Sequence, residues 1–98
     1  MGYSVLFLPE AEIDLDEVMG WYKQFDSRLT NDFLIKLDSA IQEIQKHPFH
    51  FQKIFKNYRK LNLTRFPFKI IYRVEKQSII VVAIGHHKRR ANYWRTRE

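Results

Sequence analysis

FKIIYRVEKQSIIVVAIG, residues Phe68–Gly85, decides the fold. It holds two apolar runs separated by Lys76-Gln77, both rich in the β-branched and aromatic residues that suit a pleated, half-buried surface. Each run reads as a strand, Phe68–Glu75 and Ser78–Gly85. A two-residue link joins only antiparallel neighbours, so the pair is a hairpin. Ile79 to Ile84 is apolar at both parities, the pattern of an interior strand covered on both faces.

The neighbouring segments build outward from this hairpin. YRKLNL (Tyr58–Leu63) reads as a strand set off by TRFP, and FHFQKIFKN (Phe49–Asn57) as a connecting loop with aromatic anchors. Upstream, Ser27 to about Lys46 carries Leu29, Phe33, Leu37, Ile41 and Ile44 on one helical stripe. Asp26 or Ser27 caps its start and Pro48 stops it. The preceding segment, PEAEIDLDEVMGWYKQF, opens with Pro9 in a first helical turn and places Ala11, Leu15, Val18 and Tyr22 on one face. Its acids, Glu10, Glu12, Asp14 and Asp16, read as capping and solvating charge, with Asp14 and Asp16 facing different directions. YSVLFL (Tyr3–Leu8) reads as a first strand. The order is β-α-α-β-β-β in a single domain over residues 1–98: an α+β fold, with a helical hairpin on one face of a mainly antiparallel four-stranded sheet.

Charge is divided unevenly along the chain. Residues 1–50 hold nine acidic and four basic residues, and residues 51–98 hold two acidic and thirteen basic ones. Within one compact domain this produces a basic face, suited to RNA, DNA or an acidic protein partner. There is no cysteine, which excludes disulfides and thiolate metal sites. No apolar stretch approaches the roughly 18 residues of a membrane span and no signal peptide is evident, so a cytoplasmic protein is expected.

Strand alternation shows what the sheet presents. Phe68, Ile70, Tyr72 and Val74 face the helices, while Lys69, Ile71, Arg73 and Glu75 face the other way, where Lys60 joins them. The last strand runs into AIGHHKRRANYWRTRE, Ala83–Glu98. One of His86 and His87 must look toward Lys60 and Lys69; a bulge at Gly85 would decide which. Lys60, Lys69 and Arg73, edged by that histidine with Arg89, Arg90 and Tyr93, would hold a phosphodiester backbone. A neutral imidazole there could take a 2′-hydroxyl proton, and Tyr93 could stack on a base. No metal or other cofactor is called for. Trp21 and Trp94 read as packing, His47 and His50 as surface loop residues, and Arg95 and Arg97 as a solvated tail.

VLFLPEAEIDLDEVMGWY, IQKHP, YRKLNLTRFPFKIIYRVE and VVAIGHHKRRANYWRTR together resemble the RelE/ParE toxin superfamily over nearly the whole chain. The resemblance implies a basic toxin of a type II toxin–antitoxin pair, held by a cognate acidic antitoxin. Phe49, Phe51 and Phe55 would suit an amphipathic acidic helix, and equally a place in the core. It also implies one of two activities. RelE-like members cleave messenger RNA on the ribosome without a metal; ParE-like members inhibit DNA gyrase and lack that catalytic set. Against the RelE-like pattern, Lys60 matches the first of two lysines and Asn62 replaces the second. Lys69 stands in place of a strand arginine, His87 in place of a later arginine, and Tyr93 matches a tyrosine. The first reading is therefore a ribosome-dependent endoribonuclease. In it Lys60 and Lys69 orient phosphate, His87 moves the proton and Tyr93 stacks on a base. Arg65, Arg73, His86, Lys88, Arg89 and Arg90 contact the nucleic acid. The alternative is a gyrase inhibitor acting by binding, and RFPFKIIYRVE and the H-x-K-R-R ending are common in ParE-like members. A third class is a binding module that has lost toxicity.

Overall fold

The computed structural model describes residues 2–98. Strand β1 (Ser4–Phe7) is followed by helices α1 (Pro9–Phe25) and α2 (Ser27–Lys46), then by β2 (Gln52–Phe55), β3 (Tyr58–Asn62), β4 (Phe68–Glu75) and β5 (Ser78–His86). A 3₁₀ turn, Tyr93–Arg97, closes the chain. The sheet order is β1-β5-β4-β3-β2. β1 runs parallel to β5 and the remaining neighbours are antiparallel, and the helical hairpin carries the chain from β1 at one edge of the sheet to β2 at the other.

The expected α+β architecture is present, with one correction: the sheet has five strands, because Gln52–Phe55 is an edge strand and not a loop. Its pairing with β3 slips between Lys53 and Phe55, which breaks the alternation that would have betrayed it. A short, irregular edge strand carrying lysine resists edge-to-edge pairing.

The helix-facing parity holds as expected. Phe68, Ile70 and Tyr72 are buried against Phe33, Leu37 and Ile44 of α2 and Ala11 and Val18 of α1. Phe33, Phe66 and Phe68 meet edge to face around Tyr22. The Tyr72 hydroxyl donates to the Pro48 carbonyl at 2.7 Å, and burial pushes its pKa up to about 12. Asp26 caps α2, its carboxylate accepting the Arg28 amide at 2.9 Å.

The opposite face is only partly open. Trp94, 3% exposed, packs there with Ile71, Val82 and Ala83. Glu98 pins this cover, accepting from the Tyr58 hydroxyl at 2.8 Å and from the Arg73 guanidinium at 2.9 Å.

Candidate functional site

A bulge sets which histidine reaches the outer face. Ile71 pairs with Ala83 but Tyr72 pairs with Val81, so Val82 is an extra residue in β5. The insertion reverses parity beyond it. Gly85 then stands opposite Lys69 on the outer face, and His86 opposite Phe68 on the helix face. The His86 ring packs edge to face on Phe68 at 5.2 Å between centroids. His87, tied to the sheet by its amide donating to the Pro67 carbonyl at 2.9 Å, turns to the outer side.

There it joins Lys60 and Lys69. Burial lowers the pKa of Lys69, with Lys60 adding like-charge repulsion. Burial likewise lowers His87 from its ordinary 6.5, helped by Lys69, His86 and Lys60. Among the described residues no carboxylate pairs with either lysine; the two acids of the second half, Glu75 and Glu98, both bind Arg73. His87 is therefore expected to titrate below 6.5 by NMR, and Lys69→Ala should raise that midpoint part of the way back. An unmoved midpoint would separate the two groups. Between 6.5 and the lower folded midpoint the unfolded chain binds more protons at His87. Acidification through that window therefore costs stability.

Other cations named from the sequence lie elsewhere. Arg73 is on the outer face but four residues along β4 from Lys69, about 13 Å away, and is neutralised by Glu98 and Glu75 at 2.9 and 2.7 Å. Arg65 lies over the Phe66 ring with its guanidinium 3.8 Å from Asp32, on the helix side. Lys88 and Arg90 are exposed beyond the strand. Arg89 covers the Tyr93 ring at 3.9 Å and approaches Asp14 at 3.9 Å.

Tyr93 is held rather than presented. Its hydroxyl is buried with no hydrogen-bond partner, and it lies where a Cβ on residue 85 would be. Glycine at 85 is thus required by the close approach of the tyrosine. Burial pushes the Tyr93 pKa up, and Asp14 adds to the rise.

Two residues read as solvated turn out to organise this end of the molecule. Asp14 is 4% exposed and accepts the Ile84 amide at 3.0 Å. It also takes a two-pronged bond from Arg97 at 2.6 and 3.0 Å. Arg97 in turn donates to the Val82 carbonyl at 2.9 Å, and the Asp14 bond raises its pKa. The expectation of a solvated Arg97 is corrected: the side chain is only 12% exposed, held as the partner of a buried carboxylate. A signal existed, since Asp14 falls three residues after Ala11 and four before Val18, inside the apolar stripe of α1. Trp21 also departs from expectation, being 57% exposed and touching only Phe25, itself 65% exposed, in its aromatic contacts. With Val18, Phe68, Ile84 and Arg89 it lines a cleft of about 200 Å³ between α1 and the end of β5.

No group of three or more metal-ligating side chains occurs among the described residues, and no helix there is long and apolar enough to cross a membrane.

Solved structures that share this fold include three from toxin–antitoxin systems. A chain of the chromosomal ParDE toxin–antitoxin system of Pseudomonas aeruginosa superposes with a TM-score of 0.74 at 19% identity, over 86% of this chain and 95% of that one. A mutant of the Escherichia coli toxin RelE in its free state gives 0.62 at 16% identity, covering 90% and 86%. A chain of the RelBE2 toxin–antitoxin complex of Mycobacterium tuberculosis gives 0.57 at 15%, covering 88% and 99%. No curated protein matches at a significant level. The sequence model of the ParE toxin of the type II toxin–antitoxin system parDE matches residues 5–91, nearly the whole described fold. The chain belongs to the ParE toxin family of type II toxin–antitoxin systems.

Proposed function

We propose that this toxin acts by gripping its target, the ParE-like of the two activities, with DNA gyrase as that target and a cognate acidic antitoxin as its natural restraint. One observation carries the reading: the tyrosine that RNA cleavage would need for stacking has its hydroxyl sealed against Gly85 and its ring under Arg89. Presenting that ring to a base requires displacing a cation 3.9 Å from its centroid. The family match supports the same side. An excess of positive charge, +6 overall, suits an acidic antitoxin.

One observation favours messenger cleavage instead. Lys60, Lys69 and His87 share the outer face, with two of the three shifted toward their neutral forms at the cost of their charged ones.

The test is ATP-dependent supercoiling of relaxed plasmid by purified gyrase with increasing toxin. Loss of supercoiling, restored by the antitoxin, is expected. Undiminished supercoiling at a large molar excess of folded toxin would overturn the reading.

A further inference from the structure

Lys69 combines features that an ordinary surface lysine lacks. It is half-buried near the start of the sheet's central strand, on the outer face, with Asn62 on one side and Gly85 on the other as register partners. Lys60 lies two residues from Asn62 on the same face, and His87 follows β5 on that face. Neither lysine has a carboxylate partner among the described residues, because Glu75 and Glu98 are both committed to Arg73. The free amine, and not the ammonium, is the nucleophile in acyl transfer, and a lysine crowded by burial and by a second cation holds more of it. The direction of the Lys69 shift agrees with that placement.

We propose that Lys69 is a site of covalent acylation by acyl phosphates, with Lys60 holding the phosphate of the donor. In the step the Lys69 Nζ attacks the acyl carbon. A nitrogen–carbon bond forms and the carbon–oxygen bond to phosphate breaks. The amine proton passes by way of the neutral His87 imidazole to the departing phosphate, so the products are an amide and inorganic phosphate. Acylation removes one of two neighbouring positive charges and adds bulk on the outer face, next to the glycine on which Tyr93 is seated. It is a modification of the toxin surface that stands whichever target the toxin grips.

The test treats the full chain with acetyl phosphate at neutral pH and follows each of its nine lysines by site-resolved mass spectrometry. Lys69 is expected to acetylate roughly five times faster than the median lysine, as an activated amine should. That preference should vanish in concentrated urea and fall in Lys60→Gln. A neutral donor, an N-hydroxysuccinimide acetate, should show a smaller preference because it offers Lys60 no phosphate. Even labelling across the lysines would overturn the proposal, as would labelling of Lys69 slower than exposed Lys23, Lys53 and Lys76. A preference that survives urea would place its origin outside the fold. An equal preference for the neutral donor, or no change in Lys60→Gln, would remove the phosphate-holding role.

Discussion

Replacing Asp14 by alanine is expected to destabilise the domain by about 3–5 kcal/mol, the range for removing one partner of a buried ion pair. Three groups lose their acceptor at once. The Arg97 guanidinium is left largely buried, the Ile84 amide loses the carboxylate that accepts it beyond the last β1–β5 pair, and Arg89 loses its nearby carboxylate. The damage should also spread along the chain. Arg97 is the last residue of the 3₁₀ turn whose Trp94 covers Ile71, Val82 and Ala83. Urea unfolding measures the loss, and tryptophan fluorescence of Trp94 should report exposure of the cover. Arg97→Ala removes the charge and leaves Asp14 with its amide bond, so the double variant should recover part of the summed loss. A cost of under about 1 kcal/mol, the level of an exposed pair, would contradict the buried bond.

Gly85→Ala is the second large effect, expected to cost about 1–3 kcal/mol as overpacking of a filled site. The new methyl would overlap the Tyr93 hydroxyl oxygen and lie 3.0 Å from Cζ. Either the tyrosine swings out with the C-terminal segment or β5 shifts beneath it. Tyr93→Phe alone should be neutral or slightly stabilising, because the hydroxyl is buried without a partner. Combined with Gly85→Ala it should recover most of the loss, since the worst overlap is with the oxygen it deletes. A double-mutant cycle read by urea unfolding gives the coupling. If Tyr93→Phe does not relieve Gly85→Ala, the ring is not seated on the glycine.

The hairpin Phe68–Gly85 and the two amphipathic helices were legible because periodicity reports burial directly, and the helix-facing set from Phe68 to Val74 came out as read. What failed did so for local reasons. The edge strand β2 is four residues long with a slipped register, so no alternation survives in QKIF. The side of the histidines hung on a bulge, and the bulge is at Val82, inside an all-apolar run where parity leaves no mark. The end of the tail, with Arg95 and Arg97, looks solvated by composition. Its contacts depend on partners far away in sequence: Asp14 for Arg97, and Tyr58 and Arg73 for Glu98. A charged residue can be buried only when such a partner exists, and composition alone does not reveal the pairing. The site shows the same division. Lys60, Lys69 and His87 follow from strand parity once the bulge is known, whereas the sealing of Tyr93 and the neutralisation of Arg73 are tertiary.

The claim that this toxin works without RNA chemistry is tested most directly on translating ribosomes. Purified chain is added to programmed ribosomes carrying a 5′-labelled message, and the fragment ends are mapped. The expected result is an intact message at toxin concentrations that abolish gyrase supercoiling. A toxin-dependent cut at the codon being read, lost in His87→Ala and in Lys69→Ala while both variants stay folded, would contradict it.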